Sequence, residues 1–322
     1  MNPYFGKNFF EFLLLFVQRI GEFCIGDIGI SDLASDEVQV LVLSLVACAA
    51  ALVGTFLVLK KMTMLANSLS HTILLGIIVA YLILLPFIPE PQTHAHAISI
   101  EVLLIASLVT GLITTMLTQM LTHLLKLQED ASTGLVFTTL FALGIVLVTV
   151  FTRNTHLGTE AIMGNVDALH VHDLKLIFWI ALFDFAAISI FFKEFKMAAF
   201  DGSFADAQGF SSSLFNYFLM VLTSATVIGA FRAVGVLLVL AFLVGPVLTA
   251  RLFTHRLKKV IFLAMGIGAF ASLISVALAR HFLSVHHIPL STSGMVASVL
   301  GAIYFVALAA VHIRRCAVTQ RR

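Results

Sequence analysis

A histidine and an asparagine share a long apolar segment, where ionisable side chains are costly to bury and mark function by default. His71 lies eleven residues after Lys60, or roughly 15 Å along a helix. Asn67 precedes it by four residues, so both side chains lie on one helix face, with the hydroxyls of Ser68 and Ser70 nearby. An imidazole with an amide oxygen suits a borderline divalent metal ion. The alternative is a buried histidine hydrogen-bonded to a neighbouring helix.

Most of the other histidines fall at or near loops on the side of the membrane opposite to Lys60. They are His94, His96, His156, His170, His172, His281, His286 and His287. Glu160 follows the fourth predicted span on the same side, where a carboxylate would attract or bind a cation. The cluster suggests metal capture from outside, although histidines and carboxylates are also tolerated at wet helix ends.

The elements that position these residues are predicted from the length of the apolar blocks. Hydrophobic residues make up 60% of the 322 residues and charged residues 11%. The blocks are about 20 residues long, which is what a helix needs to cross the hydrocarbon of a bilayer. We predict an all-α integral membrane protein with about nine transmembrane helices, within a range of eight to ten. The predicted spans are 38–59, 62–88, 98–125, 132–152, 174–192, 213–230, 233–253, 260–282 and 293–312.

Lysine and arginine predict the orientation of these spans. Loops on one side hold thirteen of them and loops on the other side hold four, and cytoplasmic loops carry the excess of positive charge. The C-terminus is therefore expected in the cytoplasm. We divide the chain into an N-terminal interfacial segment or extra span (1–35), one transmembrane domain (36–315) and a basic cytoplasmic tail (316–322).

Several classes of function are disfavoured by what the sequence lacks. It contains no G-x-x-x-x-G-K-[ST] loop for ATP, no H-E-x-x-H zinc motif and no G-x-S-x-G elbow. The net charge of +2 predicts no nucleic-acid partner. We therefore expect neither an enzyme of these kinds nor a resident cofactor.

Four stretches of the sequence resemble the permeases of zinc, manganese and iron ABC importers, the Znu, Mnt and Tro type. Their order and spacing agree over roughly residues 40–310. The stretches are 54–76, 129–144, 200–209 and 235–251.

The resemblance implies a helical fold like that of the vitamin-B12 importer permease, working as a homodimer or heterodimer in a bacterial plasma (inner) membrane. A separate ATPase would dock on the cytoplasmic side against a coupling segment containing Phe200, Asp201, Ala205 and Gly209. An extracytoplasmic binding protein would deliver Mn, Zn or Fe.

The resemblance also implies that His71 is a metal ligand in the pathway. The family carries an aspartate four residues before that histidine, and this chain has Asn67 there, which leaves the choice of metal open. Two other functions remain in view. One is an ATP-independent transporter or channel for a metal cation, and the other is an intramembrane enzyme with a histidine-bound metal.

Overall fold

The regular structure is entirely helical in the part of the chain that the computed structural model describes, residues 3–26, 29, 32–84, 100–151 and 166–319. Long apolar segments favour this form because a helix satisfies its backbone hydrogen bonds internally, without water. The predicted all-α fold is therefore confirmed. The residues predicted as possible ligands at Glu160, His94, His96 and His156 lie outside the described ranges.

Twelve helices follow one another within the described ranges. They are α1 (Phe9–Ile25), α2 (Ser35–Leu59), α3 (Thr63–Leu84), α4 (Ile100–Leu124), α5 (Glu129–Phe151), α6 (Val171–Ile190), α7 (Phe192–Phe200), α8 (Gly202–Ala207), α9 (Ser212–Val234), α10 (Val236–Phe253), α11 (Leu257–His286) and α12 (Thr292–Thr319). A short 3-10 turn, Val166–Ala168, precedes α6.

Each of the nine predicted spans coincides with one long helix, from α2 to α6 and from α9 to α12. By length and hydropathy, six of the described helices can cross a membrane, or seven if α6 and α7, bent by 75°, form one span. In α4 and α10 the apolar stretches are shorter, Leu108–Thr122 and Leu237–Phe253. The total of nine spans therefore stays a prediction.

The junction between α9 and α10 lies later than the sequence predicts. The expected break was at Phe231-Arg232, but α9 continues to Val234 and the chain turns at Gly235, whose φ is 83°. Glycine adopts a positive φ without the steric penalty that a Cβ brings. The turn therefore lies at Gly235, which adopts a positive φ readily, and not at Arg232.

One compact unit consists of Met1–Thr55, Asn165–Phe185 and Ala233–Arg322. Within it, α10, α11 and α12 pack against one another, and α1 packs against α11. The backbones of α2 and α10 approach closely, because a Cβ at Gly54 would lie 2.2 Å from the carbonyl oxygen of Leu243. Gly268 of α11 likewise faces Ala47 of α2, where a Cβ would come within 2.8 Å of the alanine side chain.

The N-terminal segment is tied to the start of α2 by one buried carboxylate. Glu37 is 1% exposed; it accepts a hydrogen bond from the Tyr4 hydroxyl at 2.7 Å and forms an ion pair with Arg19 of α1. Burial and the hydrogen bond to Glu37 raise the pKa of Tyr4. These contacts make residues 4–25 part of the folded unit, and α1 does not meet the criteria for a span.

The second compact unit consists of Phe56–Gly164 and Ala186–Arg232. Helices α3, α4 and α5 pack on one another within it. Two glycines set their spacing: a Cβ at Gly76 of α3 would lie 2.3 Å from the Thr110 hydroxyl of α4, and one at Gly144 of α5 would lie 3.2 Å from the Leu75 backbone. Small residues at such crossings let membrane helices approach closely.

Candidate functional site

His71 lies in the middle of α3, partly exposed, with its ring against two aromatic side chains of α5. Its ring centroid is 5.2 Å from that of Phe137 and 5.3 Å from that of Phe141. The two phenylalanine rings stack on each other at 5.9 Å. Among the described residues, no hydrogen bond to the His71 nitrogens is formed. The ring is therefore held by aromatic packing, and its nitrogens have no hydrogen-bond partner among the described residues.

Asn67 lies one turn before His71 and is also partly exposed. The neighbouring face of α3 is buried and turned toward α4, because the Thr114 hydroxyl donates to the Thr72 hydroxyl at 3.1 Å. Ser68, one turn before Thr72, is 2% exposed on that same buried face. Helix α3 thus divides its polar groups: Thr72 is hydrogen-bonded to α4 and Ser68 is buried on the same face, while Asn67 and His71 lie on the more accessible side.

His71 does not belong to a group of three or more His, Cys, Asp or Glu side chains that could hold one metal ion, within the residues that the structure describes. An imidazole nitrogen and an amide oxygen are both able to bind a borderline divalent metal ion.

Among the predicted outer histidines that the structure describes, no three are placed to hold one metal ion. His170 belongs to the cap of α6, where its backbone N–H donates to the Asp173 carboxylate at 3.0 Å. His281 and His286, near the end of α11, have ring centroids 5.9 Å apart. Asp184, which the sequence places in mid-span, is fully buried in α6.

The predicted coupling segment folds as two short helices joined at Asp201. This residue ends α7 and caps α8: its carboxylate accepts hydrogen bonds from the Phe204 N–H at 3.0 Å and the Ser203 hydroxyl at 2.8 Å. These bonds, the Phe204 N–H first, hold the pKa of Asp201 below its usual range. A carboxylate at a helix N-terminus also interacts favourably with the helix dipole.

The C-terminal end of α8 is also fixed by hydrogen bonds. Ala205 is 1% exposed, and its carbonyl accepts from the Phe210 N–H at 3.0 Å, across a turn in which Gly209 has a φ of 85°. Asp206 then accepts from the backbone N–H of Ser212 at 2.7 Å, which attaches the turn to the first residue of α9. The four predicted residues thus lie in one compact hairpin of helices.

The hairpin exposes two aromatic side chains. Phe200 is 65% exposed and Phe204 is 53% exposed, whereas Phe195 is buried and its ring packs 5.6 Å from Phe56 and 5.5 Å from Phe215. Exposed aromatic residues on a fixed backbone are typical anchors of protein interfaces. Phe204 and Asp206 were not singled out from the sequence. The pattern Asp-x-x-Phe, with aspartate as the helix cap, was the available signal.

A family model and individual relatives both match this protein over most of its length. A model described as the ABC 3 transport family matches residues 37–311. A probable metal transport system membrane protein of Chlamydia muridarum is 39% identical over 98% of this chain and 96% of its own length. The manganese transport system membrane protein MntD of Bacillus subtilis is 34% identical over 81% of this chain and 86% of its own.

A solved structure shares the fold. PsaBC from Streptococcus pneumoniae in complex with Fab has a TM-score of 0.68, at 24% identity, and the likeness covers 89% of this chain and 95% of that chain. At this identity the likeness shows the helical architecture alone.

Proposed function

Because the chain belongs to the ABC 3 transport family, we propose that it is the membrane-spanning permease subunit of a binding-protein-dependent importer for a divalent transition metal. The observation that carries the proposal is the family match over residues 37–311. Membership confirms the resemblance inferred from the four sequence stretches. The manganese transport of the Bacillus subtilis relative makes Mn the first metal to test, with Zn and Fe beside it.

The energy for import comes from a separate ATPase subunit, since the sequence has no Walker loop of its own. The hairpin of α7 and α8 is the surface on which that subunit docks. Phe200 and Phe204 supply apolar contacts, and Asp201 fixes the direction of α8. Motion of the ATPase on nucleotide binding then reaches the membrane helices through α7 and the buried Phe195.

The ion passes His71 and Asn67 on its way through the membrane. A single imidazole with an amide oxygen replaces part of the water around the ion. Such a site binds strongly enough for the ion to enter and weakly enough for it to leave, as conduction requires. A second permease, a copy of this chain or a relative, completes the pathway. An extracytoplasmic binding protein delivers the metal, and the assembly lies in a bacterial plasma membrane with the C-terminus in the cytoplasm.

The test is metal uptake into vesicles that contain this chain, its ATPase and its binding protein. Labelled Mn, Zn and Fe are offered separately, with ATP or with a non-hydrolysable analogue inside the vesicles. We expect uptake of one metal that requires both hydrolysable ATP and the binding protein. Vesicles that lack only this chain are the control for leakage.

Two results would contradict the proposal. Uptake that is equally fast without ATP would indicate a secondary carrier or a channel. Failure to take up any of the three metals, while the ATPase and binding protein both bind the chain, would indicate a cargo of a different class.

A further inference from the structure

A polar cavity lies inside the first unit, where α2 begins and α11 ends. Its volume is about 240 Å³. Six of its lining residues carry polar side chains: Ser35, Asp36, Gln39, Asp167, Arg280 and Thr292. This end of α11 is the one that the distribution of lysine and arginine predicts to face outward.

The cavity holds an ion pair that is nearly closed to solvent. Asp36 is 1% exposed and pairs with the Arg280 guanidinium, whose side chain is 16% exposed. Elsewhere in the lining, the Thr292 hydroxyl donates to the Asp167 carboxylate at 2.5 Å. The lining therefore carries two carboxylates and one guanidinium, an excess of one negative charge when all three are ionised.

Gln39 shows that the cavity is built for a polar occupant. It lies three residues after Asp36, on the same face of α2, and is only 7% exposed. It lines the cavity, yet its amide makes no hydrogen bond to any residue in the described ranges. Buried side-chain amides are nearly always hydrogen-bonded in native proteins, so this amide needs a polar partner in the cavity, which water or a cation can supply.

The chemistry of the lining selects the occupant. Carboxylate oxygens, an amide oxygen and hydroxyl oxygens are the ligands of hard divalent cations such as Mn²⁺, whereas softer ions prefer imidazole or sulfur. Arg280 provides a positive charge at Asp36, which a buried carboxylate needs whenever a cation is absent. The guanidinium thus occupies the place that a bound cation would take.

We propose that this cavity is an outward-facing receiving site for a hard divalent cation, with Asp36, Gln39 and Asp167 as oxygen ligands and Arg280 as the charge that the cation displaces. Its part in import rests on the function proposed above, but cation binding itself does not. Its oxygen ligands would favour oxygen-preferring metals over softer ones.

The experiment measures Mn²⁺ binding to the full chain in lipid nanodiscs by electron paramagnetic resonance. The His71→Ala background removes the other candidate site. We expect Gln39→Leu to weaken binding severalfold without loss of folding, since the amide has no protein partner to lose. Asp32→Asn is the matched control, because Asp32 is an exposed carboxylate four residues before Asp36, outside both α2 and the cavity lining.

The Arg280→Gln variant distinguishes a guanidinium that stands in for the cation from a purely structural ion pair, because the two predict opposite effects of Mn²⁺. If Arg280 stands in for the cation, its removal strengthens Mn²⁺ binding, and Mn²⁺ raises the melting temperature of the variant more than that of the parent. If the ion pair is purely structural, Arg280→Gln lowers the melting temperature and Mn²⁺ does not restore it, which would overturn the proposal. Equal Mn²⁺ binding by the parent and Gln39→Leu would overturn it too.

The two proposals fail separately. Binding is measured without the ATPase or the binding protein, so a negative result here leaves ATP-dependent uptake to be judged alone. Conversely, a chain that binds Mn²⁺ in this cavity but supports no uptake would contradict only the proposed function.

Discussion

His71 is held by aromatic surfaces and not by hydrogen bonds. The rings of Phe137 and Phe141 pack against it, and the described part of the chain gives its nitrogens no partner. An ionisable side chain within an apolar helix marks a functional position by default, which keeps His71 the candidate metal ligand. Asn67, where the related permeases carry an aspartate, removes one negative charge from this station.

Replacing His71 by alanine is expected to slow uptake at limiting metal by about tenfold or more, the loss typical when a metal site loses one supporting group. The chain should still assemble with its ATPase, because only ring contacts are removed. Initial uptake rates and co-purification measure the two effects. His255→Ala, at an exposed histidine between α10 and α11, is the control. Unchanged uptake by His71→Ala at limiting metal would remove His71 from the pathway.

The position of His71 within a span could be read from the sequence, because lysines mark the helix end and the apolar run is uninterrupted. Its aromatic neighbours could not. They depend on which helices touch, and that is set by the close crossings at Gly76 and Gly144. A glycine in an apolar segment signals a crossing but does not name the partner helix.

At the scale of elements, the hairpin of α7 and α8 depends on one cap. The Asp201 carboxylate accepts from the Phe204 N–H, one of the free N–H groups in the first turn of α8, and without this acceptor the six-residue helix has little to hold it. The sequence indicated the segment through the family resemblance. The division into two helices follows from the capping bond, which the single-letter pattern only suggests.

Asp201→Ala is expected to weaken both the recovery of the ATPase with the chain and the response of ATP hydrolysis to the binding protein. Asp201→Asn should retain most of both, since asparagine is an equally good helix cap. Pull-down and steady-state hydrolysis measure the effect. An Asp201→Ala variant that couples like the parent would show that the cap is not needed.

The ionisation of Asp201 makes the stability of the fold depend on pH, and the direction of this dependence follows from its lowered pKa. Its pKa is lowered in the folded chain, so the carboxylate stabilises the fold above its unfolded pKa, and this contribution is lost as the pH falls through the lowered value. Coupling through this cap should therefore be insensitive to pH near neutrality.

At the scale of the whole molecule, the apolar blocks predicted the long helices with boundaries within a few residues in most cases. The number of spans is harder to predict, because α4 and α10 contain shorter apolar stretches than the others. The sequence also left open whether the N-terminal segment is interfacial or forms an extra span. Its attachment through Glu37 requires an ion pair between residues 18 positions apart, which no local pattern reveals.

The predicted orientation can be tested at the two ends of α11. In a chain whose three cysteines are replaced by serine, Lys258→Cys and Ser291→Cys place one exposed thiol at either end. A membrane-impermeant maleimide applied to intact cells should label Ser291→Cys only, because lysine and arginine place residue 258 inside. Labelling of Lys258→Cys instead would invert the topology, and permeabilised cells confirm that both thiols can react.

The contact at Gly54 limits how this protein can tolerate change during evolution. A Cβ at position 54 would collide with the carbonyl oxygen of Leu243, an atom that every amino acid carries. No replacement of residue 243 can therefore compensate for a larger residue at position 54. Suppressors of such a change must act elsewhere along α2 or α10, by moving the two backbones apart, so the pair will not be recognised as co-varying positions although it is one of the tightest contacts in the fold.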